Sequence, residues 1–157
     1  MTNEERYLFE AIALARSNAE KGGRPFGAVI VKDGEIIATG VNEILATNDP
    51  TAHAELNAIR AASQTLGSAN LDGCKIYASG QPCPMCLAAM YIAGVSGVAY
   101  AYSNDDGASY GLSTAPVYAE LHKPFAEQFL EIRHIPVREF RGASLYAHWK
   151  SSQSKAT

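Results

Sequence analysis

A chain of 157 residues with a net charge of −3 and 18% charged residues is long enough to bury a core without disulfides. The charge balance offers no broad attraction for polyphosphate and argues against nucleic acid as partner. Three cysteines, an odd number, argue against a disulfide framework, and no apolar run is long enough to span a bilayer. The polar start, with Asn3, Glu4, Glu5 and Arg6, lacks the apolar core of a signal segment, so the expected location is the cytoplasm.

In chain order, Leu8, Ala11, Ile12, Ala15 and Ala19 recur at helical spacing, which predicts a helix from about Glu4 to Lys21 ending at Gly22 and Gly23. Ala28 to Val31 and Glu35 to Thr39 flank Asp33-Gly34, a two-residue hairpin signal, and read as antiparallel strands. Asp49 and Pro50 resemble a cap and first helical position, placing His53 and Glu55 in the opening turns of a helix running to about Ser63. Residues two apart on a regular helix point in nearly opposite directions, so spacing alone gives no account of how both reach one point.

Lys75 to Ala78 reads as a buried strand, and Pro84 opens a helix through Ala93 whose N-terminus carries Cys83 and Cys86. Val98 to Tyr102 is the next strand, and Ser103 to Ala115 a loop rich in Gly, Ser and Asp. Pro116 to Leu121 and Pro124 to Leu130 read as helices, Ile132 to Val137 as a strand, and Ala143 to Lys150 as a final helix, with residues 151–157 a frayed tail. The whole forms one expected domain over residues 1–157, with no repeat or linker.

The chemistry is concentrated in His53-Ala54-Glu55 and Pro82-Cys83-Pro84-Met85-Cys86. One imidazole and two thiolates supply three corners of a zinc tetrahedron and leave the fourth for water, as in a catalytic site, with Glu55 available to move protons. A Cys-x-x-Cys alone also fits a redox pair, and a structural site would need a fourth ligand: Cys74 stands before a strand-like run as a buried cysteine does, which leaves His122, His134 and His148. The order His-x-Glu followed by Pro-Cys-x-x-Cys is a signature of zinc deaminases acting on nucleobases.

With Pro25-Phe26-Gly27-Ala28-Val29-Ile30-Val31 and Asn48-Asp49-Pro50-Thr51-Ala52-His53-Ala54-Glu55, these motifs make the chain resemble the cytidine-deaminase-like superfamily, and within it the bacterial guanine deaminases. The resemblance spans about residues 4 to 149. It implies a three-layer α/β/α fold with a mixed five-stranded sheet, one Zn2+ per chain on His53, Cys83 and Cys86, Glu55 as the catalytic proton shuttle, and a homodimer. It further implies that Asn42, Ala54, Ser113 and Thr114 bind a small amino-heterocycle, which loses its amine as ammonia.

Three departures from the guanine deaminase pattern bear on the substrate. The stretch Gly111 to Ala115 lacks the carboxylate of that family, Gln81 replaces a glutamate, and Ile92 replaces an aromatic; Asp105 and Asp106 stand earlier in the loop as substitute acids. Another amino-purine, cytosine or an amino-triazine is therefore the alternative substrate. Deamination of tRNA adenosine would call for a basic C-terminal helix, whereas Leu145 to Lys150 has few cations. A non-catalytic module stapled by zinc is the reading from a different class.

Overall fold

The computed structural model describes residues 1–138 and 144–154, in two compact units, Met1–His122 and Lys123–Thr157. In the first unit α1 (Asn3–Glu20) begins with a capping box in which Thr2 and Glu5 satisfy each other's backbone amides. The strands β1 (Gly27–Lys32) and β2 (Glu35–Val41) then pair antiparallel. Asp33 and Gly34 both take positive φ between them, the primed turn that matches strand twist.

A short α2 (Ile44–Thr47), unforeseen in the polar loop, precedes α3 (Ala54–Leu66). After β3 (Cys74–Gly80) come α4 (Pro84–Ala93) and β4 (Gly97–Tyr102). Two small helices follow, α5 (Asn104–Ala108) and α6 (Ala115–Leu121). The expected loop from Ser103 thus contains a helical turn, closed by a capping box between Ser103 and Asp106.

Among the described residues the sheet has four strands in the order β2-β1-β3-β4, with β1 antiparallel to β3 and β3 parallel to β4. The sheet is mixed, as expected, but the fifth strand is not there. Ile132 to Val137, in the second unit, forms no strand: Pro136 has no amide to give a ladder, and Val137 N–H bonds back to Ile135 O at 2.8 Å. Ile135 and Val137 are accordingly exposed.

Alternation along β1 divides the core. Ala28 and Ile30 join Ala54, Ala58, Ala62, Cys86 and Met90 of α3 and α4, whereas Val29 and Val31 join Tyr7 of α1 and Tyr77. Helices thus cover both sheet faces. Gly40 of β2 permits the closest approach, because a Cβ there would collide with Ala54 O and Ala58 N of α3.

The second unit holds a 3-10 turn at Phe125–Glu127 where a helix from Pro124 to Leu130 was expected, and α7 (Leu145–Ser154). That last helix runs past Lys150 into the expected tail; Ala143 and residues 155–157 lie outside the described residues. No helix among the described residues is long and apolar enough to cross a membrane.

Candidate metal and proton-transfer site

The site lies where two helices begin. Asp49 does not cap α3: its Oδ1 accepts from Thr51 N–H at 2.8 Å and from the Thr51 hydroxyl at 2.7 Å, closing a local turn. His53 N–H bonds to Thr51 O at 2.7 Å and Ala52 O accepts from Glu43 N–H at 2.9 Å, so helical geometry waits until Ala54. His53 is the extended N-cap, with φ −74° and ψ 155°, and Glu55 is the second helical residue. The opposite-face problem posed by a regular helix therefore does not arise.

Cys83 is likewise the extended N-cap of α4, followed by Pro84 at the first helical position, and its Sγ accepts from Cys86 N–H at 3.4 Å. Two helix N-termini with their positive dipole ends so converge on one point, an arrangement that favours thiolates and carboxylate.

His53 Nδ1 lies 3.4 Å from Cys83 Sγ and 3.6 Å from Cys86 Sγ. Zinc–nitrogen and zinc–sulfur bonds of ordinary length at a tetrahedral angle put N and S about 3.5 Å apart, so these spacings fit a zinc ion. The three ligand atoms lie within 4.8 Å of one another, and both cysteines are buried while His53 is half-buried. Cys74, also buried, is not part of this group, and His122 does not join it among the described residues; His134 and His148 belong to the second unit. Three protein ligands and a nearby carboxylate match an open, reactive zinc site better than a closed structural one.

Electrostatics divide the two thiols. A hydrogen bond from Cys86, together with His53, holds Cys83 down at about 4, while the Cys83 contact and burial push Cys86 up. The Cys83 bond raises His53. Glu55 is 7% exposed, and its Oε2 lies 3.5 Å from Cys86 Sγ. Burial pushes its carboxyl up from the ordinary value, which disposes it to take and return protons.

The remaining expected residues have separate settings. Asn42 is buried, its Oδ1 accepting from Ile44 N–H at 3.2 Å and its own N–H bonding to Phe26 O. Ala54 is buried at the start of α3. Ser113 Oγ accepts from Ala115 N–H at 3.2 Å, and Thr114 N–H donates to Asn104 Oδ1 at 3.2 Å. Asp106, a substitute acid by sequence, is engaged by its own helix: its Oδ2 accepts from Ser103 N–H at 2.7 Å and from the Ser103 hydroxyl at 2.9 Å.

Two residues that carry no motif bond to the pair Gln81 and Pro82, which precedes Cys83. Tyr118 of α6 donates its hydroxyl to Pro82 O, and burial followed by the negative charge of Cys83, Cys86 and Glu55 keeps that phenol protonated. Asn104 N–H donates to Gln81 Oε1 at 2.9 Å. Nothing in the spacing of the sequence announces either bond.

The sequence pattern described as the cytidine and deoxycytidylate deaminase zinc-binding region matches residues 1–102. Guanine deaminase of Bacillus subtilis is 43% identical over 154 residues, 98% of this chain and 97% of the relative. The X-ray structure of guanine deaminase from Bacillus subtilis superimposes with a TM-score of 0.81 at 42% identity, covering 97% of this chain and 92% of that one. A tRNA-specific adenosine deaminase of Aquifex aeolicus is 40% identical over 97 residues, 62% of this chain and 64% of the relative.

Proposed function

This chain belongs to the cytidine and deoxycytidylate deaminase zinc-binding family, and on that footing we propose that it hydrolyses the exocyclic amine of a free guanine-type base to a carbonyl, releasing ammonia. The observation that carries the reading is the buried Glu55 carboxylate beside a His53, Cys83 and Cys86 set spaced for zinc. His53, Cys83 and Cys86 hold the ion, one per chain. Zinc, when bound, supplies the Lewis acidity that makes water a nucleophile near neutral pH.

Glu55 moves the protons. Its carboxylate takes one from the attacking water and gives it to the ring nitrogen, then carries a second to the departing amine. Water thus adds to the amine-bearing carbon and ammonia leaves, with the carboxylate regenerated. Asn42, Ala54, Ser113 and Thr114 hold the base, their amide, backbone and hydroxyl groups replacing the carboxylate that guanine deaminases place in the later loop. Such a neutral loop suits guanine less strictly than an acidic one, and so extends the reading to other amino-purines, cytosine and amino-triazines.

The fold is a three-layer α/β/α deaminase domain, in a cytoplasmic homodimer that does not act on nucleic acid. The exposed pair Tyr91 and Ile92 on α4 supports the dimer, and the net charge of −3 supports the exclusion of RNA. The test is ammonia release by zinc-loaded protein from guanine, 2,6-diaminopurine, adenine, cytosine, an amino-triazine and the matching nucleosides. Turnover of guanine well above that of guanosine is expected; activity confined to nucleosides or tRNA would overturn the proposal.

A further inference from the structure

The segment that carries Ser113 and Thr114 is hung from the two residues that precede Cys83. Gln81 N–H donates to Tyr102 O at 2.7 Å at the end of β4, and Gln81 Oε1 accepts from Asn104 N–H at 2.9 Å. Asn104 is the first residue of α5, where a backbone amide has no partner within the helix, so the glutamine carbonyl satisfies a donor that would otherwise need water. Asn104 Oδ1 in turn accepts from Thr114 N–H at 3.2 Å and from the Thr114 hydroxyl at 3.4 Å.

Thr114 is the N-cap of α6, yet its side chain makes no capping bond. Its hydroxyl is turned to Asn104 instead. The far end of the same stretch is fastened by Tyr118, whose hydroxyl reaches Pro82 O. Gln81 and Pro82 therefore grip both ends of residues 102–118, and the ligand Cys83 follows at the next position.

We propose that Gln81 is a positioning residue for substrate: its side-chain carbonyl fixes Asn104, and through Asn104 the Ser113 and Thr114 turn, relative to the Cys83 end of the metal site. This rests on the reading of that turn as part of the base pocket. Gln81 itself touches no reacting atom. A glutamine carbonyl performs the task without adding charge next to the thiolates, and a glutamate at the same position would retain the acceptor.

The test uses the zinc-loaded full chain with Gln81→Ala, Gln81→Leu and Gln81→Glu, each checked for zinc content and melting temperature. Guanine deamination is expected to show KM raised about tenfold in the Ala and Leu variants with kcat changed much less, and KM restored in Gln81→Glu, which corresponds to the loss and return of one part-buried hydrogen bond. Asn104→Ala should raise KM similarly, and Gln81→Ala with Asn104→Ala no further, because both act on one relay.

A second readout does not depend on turnover. By NMR hydrogen exchange, the Asn104 and Thr114 amides should exchange about tenfold faster in Gln81→Ala and at the original rate in Gln81→Glu. Unchanged exchange at both amides in a zinc-replete Gln81→Ala protein would overturn the proposal, as would a loss confined to kcat or to zinc content. Should the native protein deaminate no base at all, the deaminase reading falls by that result, and the exchange rates alone decide whether Gln81 holds the turn.

Discussion

His53 and Glu55 serve one site because a helix boundary runs between them: the histidine is the extended cap of α3 and the glutamate the second residue inside it. Across that boundary, Cys86 Sγ stands 3.6 Å from His53 Nδ1 and 3.5 Å from Glu55 Oε2. The proposed metal-ligating and proton-moving side chains thereby stand within reach of one thiol. Replacing Glu55 by Gln preserves shape and ligands but removes the shuttle. The Glu55→Gln protein should retain zinc and lose roughly three orders of magnitude in kcat, as measured by ammonia release against zinc content.

Removal of zinc has a stability signature as well as a catalytic one. At free zinc roughly a thousandfold above its dissociation constant, the ion should stabilise the fold by about 4 kcal/mol, so the melting temperature rises with added zinc. Affinity should weaken as pH falls, because His53 and the thiols bind metal only when deprotonated, and the raised His53 begins to compete for protons earlier than a free imidazole. Calorimetric titration at several pH values measures both effects. A melting temperature indifferent to zinc would contradict the assignment of the three ligands.

An acid can be added to the later loop where the backbone already accepts one. Ser113 Oγ takes the Ala115 N–H, a bond that one oxygen of an aspartate can also accept, leaving the second oxygen for the donor edge of guanine. Ser113→Asp should therefore raise kcat/KM for guanine by about tenfold while leaving cytosine turnover unimproved. Parallel kinetics on the two bases decide it; an equal gain on both would show that the loop does not read the donor edge.

Gly40 tests how the site is held from behind. A methyl group there meets Ala54 O and Ala58 N in the turn of α3 that carries Glu55, so α3 must move off β2. Gly40→Ala should lower the melting temperature of the zinc-loaded protein by roughly 4–10 °C, the effect of an overpacked core, and weaken zinc binding with it. A melting temperature within a degree of the original would show that helix and strand are less tightly apposed.

Much of this was readable in the sequence, for reasons that differ by residue. The Asp33-Gly34 hairpin and the α4 helix behind Pro84 follow from local chemistry, and local chemistry is what a sequence displays. The His53, Cys83 and Cys86 set was legible because metal ligands admit few residue types. The start of α3 was misplaced because Asp49 and Pro50 make a good helix opening in isolation, and only the Ala52 carbonyl's bond to Glu43 shows why that turn stays separate. The fifth strand is expected from the resemblance and from the strand-like stretch Ile132 to Val137, and an apolar pattern does not display the amide that Pro136 lacks. Gln81, Asn104 and Tyr118 were invisible as a group because bonds to backbone from scattered polar residues leave no periodicity.

Cys83 lies thirty residues beyond His53, and the whole of α3 and β3 fills the interval. A histidine and a cysteine pair so separated are costly to gather from a loose chain, since loop closure carries an entropic cost that grows with length. Here β3, held beside β1, brings Cys83 to the cap of α3. Zinc affinity should therefore report on the integrity of the sheet. A substitution far from the ligands that loosens β1 from β3 should reveal itself first as a leak of metal.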